Sequence, residues 1–229
     1  ICVVRAVKIS NPVQFLHGPW EMINLGPRLS EIANHIPIGT QLIDVGCDHG
    51  RLPVALLLSE TIVHAIAVDI NSSPLEKARL LARHYMLPTN RFNAMISDGL
   101  SAVVDISNKT IVVAGMGGMR ICKILRQSKL RLSDAARFIL QPNSDLMFVR
   151  QSLVELGLTI IDETMCSERG KRYTTIIAKP MQAQSGLTDQ ELFLGPVLMQ
   201  KSTPLFRAHC EETYAFLCEL KLKLGDRFP

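Results

Sequence analysis

The stretch Gln41–Gly50, QLIDVGCDHG, limits the fold more than any other part of this chain: an apolar run ends in a turn with glycines at 46 and 50 and acids at 44 and 48. A second apolar run, Val63–Val68, ends in Asp69. They read as the first two strands of an open α/β sheet, whose ligands sit outside the carboxyl ends of the strands. A dinucleotide turn needs glycine at the middle of G-x-G-x-x-G, so that backbone can approach a pyrophosphate near a helix N-terminus. Asp48 holds that place here, and a carboxylate repels phosphate but faces a cation at little cost. S-adenosylmethionine suits such a turn: it has an adenosine, no phosphate, and both ammonium and sulfonium charges. Asp69 then falls at the ribose hydroxyls. A nucleotide site and a purely structural turn stay open on these residues alone.

The same alternation runs on. Leu29, Ile32, Ala33 and Ile36 recur at helical spacing before Pro37 and Gly39. Strands are expected near 41–45, 63–68, 92–97, 110–114, 136–141, 158–162 and 173–178, with helices near 28–35, 51–60, 73–86, 117–128 and 144–156. Short β-branched runs alternating with helices indicate a parallel sheet covered on both faces. The link Glu168–Arg172 is short and contains Gly170, which suits an antiparallel hairpin. The expectation is a Rossmann-like α/β fold: seven strands, the last antiparallel, as in class I methyltransferases. After Pro180, helical stretches are expected over 188–201 and 204–224. In the second, Phe206, Cys210, Thr213, Leu217, Leu220 and Leu224 step by four and three along one seam. That pattern predicts a coiled-coil-like extension, either a helix pair docked on the sheet or a projecting arm. The expected divisions are 1–24, 25–180 and 181–229.

Composition narrows the class. The apolar fraction of 47% with 20% charged residues is that of an ordinary globular protein, and a net charge of +4 permits a polyanionic partner without requiring one. The six cysteines include no C-x-x-C pair and no zinc-like spacing with histidine, so reduced thiols, a cytoplasmic protein and no metal are expected. Apolar runs such as Leu52–Leu58 are far below the roughly 20 residues a membrane span needs. A monomer is the working expectation. No acid precedes Glu21, and the segment lacks a secretory core and cleavage site. Met22 is read as a start, with the residues before it a non-native extension.

Further candidates sit at successive strand ends. Asp98, in Ser97-Asp98-Gly99, can accept from an adenine amine while Gly99 makes room for the ring; a plain Asp-Gly turn is the alternative. Ala114-Gly115-Met116-Gly117-Gly118 allows close backbone approach, and no Lys-Ser or Lys-Thr follows to make it a P-loop. Gln141 and Asn143 carry amides able to meet a base edge, although Asn143 could instead cap the following helix. His49 is a candidate base or donor, or a structural histidine. Arg120, Lys123 and Arg126 share a helix, and Arg169, Lys171 and Arg172 share the hairpin; together they could follow an RNA backbone, whereas the helical group alone could be a solvated face.

With these segments assembled, the chain resembles the TrmK family of bacterial tRNA (adenine-N1)-methyltransferases. The resemblance runs from about Leu25 to the C-terminus. It rests on Arg28-Leu29 before Ile36-Pro37, the Asp44–His49 turn, Leu52-Pro53, Ala114–Gly118, Ile139–Asn143, Lys171–Tyr173 and Leu194-Gly195-Pro196. Cys47 stands where the family usually has Ser or Thr, and Asp69 where it often has Glu. The resemblance implies methylation of N1 of adenine 22 of tRNA. It also implies a donor site of Arg28, Asp44, Gly46, Asp48, Asp69, Ile70, Asn71, Asp98, Gly99, Ala114, Gly115, Met116 and Gly117. Asp48, His49, Gln141 and Asn143 would lie at the reacting base, and Tyr173 is a guess for stacking on it. A small-molecule methyltransferase and a non-catalytic RNA-binding module are the other readings.

Overall fold

A computed structural model describes residues 23–181 and 186–224; the Met22 reading lies outside them. Strands β1 (Thr40–Val45), β2 (Ile62–Asp69), β3 (Phe92–Ile96), β4 (Thr110–Met116), β5 (Arg137–Pro142), β6 (Leu158–Glu168) and β7 (Lys171–Pro180) form one sheet in the order β3-β2-β1-β4-β5-β7-β6. The first five are parallel; β7 is antiparallel to both β5 and β6. The expected reversed hairpin is therefore inserted with its last strand inside the sheet and β6 at the edge.

Neighbouring residues of a strand face opposite sides, so one apolar run feeds two cores. Ile43, Val113 and Leu140 pack under α4 (Gly118–Gln127) and α5 (Leu146–Glu155), on one face. Leu42, Val112 and Ile139 pack on the other, under α1 (Gly26–Asn34), α2 (Arg51–Leu58) and α3 (Ser72–His84). α4 shows why these segments are helical: Ile121, Cys122, Ile124 and Leu125 are buried, while Arg120, Lys123 and Arg126 point outward.

One correction concerns the C-terminal helices. The stretch expected as one helix over 188–201 is two, α6 (Asp189–Leu194) and α7 (Pro196–Lys201), followed by α8 (Pro204–Leu224). Gly195 breaks it with φ +101, and Pro196 starts the next helix without needing an amide hydrogen. A Cβ at Gly195 would lie 2.6 Å from both Arg150 and Glu163. α6 packs on α5 and α7 on β6. Of the α8 seam, Phe206 is buried against this base, whereas Leu217 and Leu220 are exposed.

Candidate active site

The ends of β1 to β4 surround one cleft. At the end of β1, Gly46 (φ +75) donates its N–H to the carbonyl of Val68, 2.7 Å away, and a Cβ there would collide with the Met116 methyl. The chain turns through Asp48 (φ +51) and Gly50 (φ +69); at Gly50 a Cβ would come within 2.7 Å of Ala78. This second glycine lets α2 start against α3, and it leaves the Asp48 carboxylate facing solvent, 77% exposed. At the end of β2, Asp69 Oδ1 accepts from the Asn71 amide at 2.9 Å.

The donor half of the cleft is lined by Asp69, Ile70, Asn71, Ser97, Gly99 and Gly115, with Met116 and Arg120 closing it. Asp98 lies exposed between Ser97 and Gly99. The other half lies beneath Arg28, Asp44, Asp48, His49, Arg51 and Ala114. Gly46 and Ala114 belong to both halves.

Arg28 reaches in from α1. Its Nη1 donates to Gln141 Oε1 at 3.4 Å, and a Cβ at Gly115 would lie 3.0 Å from the same nitrogen. Its guanidinium sits 5.5 Å from the Tyr173 ring centre, and the Lys171 ammonium is 5.1 Å from it. Gln141 is fully buried, and its Nε2 donates to Thr175 Oγ1 at 3.0 Å. The expectation that Gln141 meets the base is therefore corrected: its amide orients Arg28. Asn143 is exposed; its Nδ2 donates to the Gly115 carbonyl at 2.8 Å, which leaves Oδ1 turned outward. It does not cap α5, whose N-cap position is Asp145.

The electrostatics favour a cation. Asp44 is buried and its pKa is raised to about 7, by burial first and next by Asp69, with Arg28 opposing and Asp48 adding to the rise. Burial and the same three acids push the Cys47 thiol upward too, so it is no thiolate nucleophile. His49 Nε2 lies 3.5 Å from Asp48 Oδ1, while its Nδ1 is buried without a partner among the described residues.

A family model described as tRNA (adenine(22)-N(1))-methyltransferase matches residues 42–227. The chain belongs to the TrmK family. A Bacillus subtilis tRNA (adenine(22)-N(1))-methyltransferase is 30% identical over 188 residues, covering 80% of this chain and 79% of the relative. The crystal structure of the B. subtilis M1A22 tRNA methyltransferase TrmK is 26% identical and superposes with a TM-score of 0.79, covering 90% and 89%. A Streptococcus pneumoniae protein solved in complex with S-adenosyl-L-methionine is 30% identical, with a TM-score of 0.77, covering 83% and 88%.

For a TrmK chain the expected RNA-facing cations need sorting, because the fold occupies several. Arg126 is held by Glu155 at 3.1 Å and Ser152 at 2.9 Å and stacks on Phe148. Arg172 forms a two-pronged pair with Glu212, both contacts 2.5 Å, tying the hairpin to α8. Both therefore meet solvent already paired with an acid, so contact with RNA there would compete with Glu155 and Glu212. Arg120 lines the donor half, Lys123 is exposed on α4, and Arg169 and Lys171 are exposed at the hairpin tip. Arg51, which lines the cleft, was not singled out from the sequence; its place directly after the Gly50 turn was the available signal. Among the described residues no cluster of His, Cys, Asp or Glu could hold a metal, and no helix is long and apolar enough to cross a membrane.

Proposed function

We propose that this chain transfers a methyl group from S-adenosylmethionine to N1 of adenine 22 of tRNA. The observation that carries the reading is the convergence of Asp44, Asp48 and Asp69 on a glycine turn, beside Arg28. Asp69 and Asn71 would hold the donor's ribose, Ser97 to Gly99 its adenine, and Gly46 with Gly115 and Met116 the wall against its thioether. Arg28 is placed for the donor's carboxylate and Asp44 for its ammonium.

When bound, S-adenosylmethionine supplies an electrophilic methyl: the N1 lone pair forms the new bond as the S–CH3 electron pair returns to sulfur. No proton has to leave N1, so positioning contributes most of the acceleration and no strong base is needed. Positive charge moves onto the adenine ring. Asp48, exposed at the cleft, would stabilise it as it develops. The outward Oδ1 of Asn143 is available to accept from the exocyclic amine, and His49 to fix the ring's edge. The base would be turned out of its stack to reach them.

Incubation with methyl-labelled donor and unmodified tRNA, followed by mapping of the labelled base, tests the reading. Label on N1 of adenine 22 supports it. Binding of tRNA without transfer would leave an RNA-binding module, and transfer to a small molecule alone would overturn the substrate.

A further inference from the structure

Beside the cleft, on the outer side of α3, lies a groove to which the sequence reading assigned nothing. Arg51, Lys77, Leu80, His84 and Tyr85 line it with Asn24, and among the described residues no carboxylate is part of its walls. At about 630 Å³ it is well within the range of a ligand-sized pocket, roughly 300–1,000 Å³, and it opens directly to solvent. Lys77 and His84 are seven residues apart on one helix face, about 10 Å along its axis. Both are exposed, and Leu80, half exposed at 55%, adds apolar surface between them.

The groove is continuous with the active site. His49 and Arg51 line both, and Arg51 also borders the hollow on the other side of the cleft, towards Arg169 at the hairpin tip. The Arg51 guanidinium is held in place by the carbonyl of Asn24. A base lodged in the cleft keeps a phosphodiester on each side, and Arg51 stands where the cleft opens into both neighbouring hollows.

We propose that the α3 groove, through Arg51, Lys77 and His84, carries the phosphate backbone of the RNA strand on one side of the target adenosine. The inference rests on the tRNA reading above and deepens it. It puts the strand on the α2–α3 side of the cleft, where Lys77 and Arg51 pair with no carboxylate among the described residues, rather than along Arg126 and Arg172, which pair with Glu155 and Glu212.

The test is Lys77→Glu, alone and with His84→Glu, with Lys77→Arg as the conservative control. Binding of a tRNA transcript is measured over a salt series, alongside methyl transfer and S-adenosylhomocysteine affinity. We expect Lys77→Glu to weaken tRNA binding about 5- to 10-fold and to lower the slope of log K against log salt by about one. KM for tRNA rises while kcat at saturating tRNA and S-adenosylhomocysteine affinity hold; the double variant loses more, and Lys77→Arg binds as the parent does. Parent-like affinity and salt slope in both glutamate variants would overturn the proposal and hand the groove to some other partner. Failure of the parent to methylate the transcript would sink the functional reading instead, while the binding comparison would still decide the groove.

Discussion

Arg150 on α5 and Glu163 on β6 form an ion pair in the protein interior, Nε to Oε1 2.8 Å, with no more than 1% of either side chain exposed. The pair is a hub. Arg150 Nη1 donates to the carbonyls of Leu192 and Phe193 at 2.8 and 3.0 Å, and Glu163 Oε2 accepts from the amides of Val197 and Leu198 at 3.0 and 3.3 Å. It thus satisfies the end of α6 and the start of α7, on either side of Gly195, which are the groups helix termini leave unpaired.

Removing one partner leaves the other charge buried and bare. Glu163→Gln or Arg150→Met is expected to cost about 3–5 kcal/mol in urea unfolding. Arg150→Met with Glu163→Leu should recover little of that, because the helix-end carbonyls and amides stay orphaned; full recovery in the double variant would show that the pair acts alone.

Asp44 makes donor binding depend on pH. Its folded pKa is raised, so the donor-free protein keeps this proton, and stability falls as pH rises from about 4 to about 7, then levels off. A bound cation favours the carboxylate. S-adenosylmethionine affinity is therefore expected to increase from about pH 6 to pH 8 by calorimetry, and Asp44→Asn should flatten the profile. A profile as steep in Asp44→Asn as in the parent would assign the titration to another group.

Asp69→Ala should weaken donor binding about 10- to 100-fold, the magnitude of a lost hydrogen bond to a charged acceptor. Calorimetry with S-adenosylhomocysteine reads it directly, and unchanged affinity would take Asp69 off the ribose.

Asn143→Ala is expected to lower kcat about 5- to 30-fold with donor affinity within about twofold, since the lost contact of roughly 1–2 kcal/mol is made to the base. Should donor affinity drop as far as kcat does, the role of Asn143 would be to hold the Gly115 carbonyl.

Most of the sheet is legible because the central strands β1, β4 and β5 are largely buried and strand ends carry a glycine or acid: Gly46, Asp69 and Gly99 sit at strand ends as a strand-then-turn reading puts them, while β4 runs on through Gly115 to Met116. Gln141 was misjudged because an amide at a strand end looks the same whether it faces the cleft or, as here, Thr175 and Arg28. The pairing of Arg126 and Arg172 leaves no sequence signal because their partners, Glu155 and Glu212, lie far along the chain, 29 and 40 residues away. The break at Gly195 carries its own signal in the Gly195-Pro196 dipeptide, whereas the Arg150–Glu163 pair that packs against it joins two separate elements and leaves no periodic trace.

The strut from Arg28 to Gln141 spans 113 residues of chain, and Gln141 is itself braced by Thr175 on the last strand to be synthesised. The pocket is therefore finished last. A ribosome-bound or protease-clipped fragment ending short of β7 would still carry the Asp44–Gly50 loop, yet Gln141 would lack the Thr175 that fixes it and Arg28 the Tyr173 ring beside it. Competence for the donor thus reports that the whole sheet has been assembled.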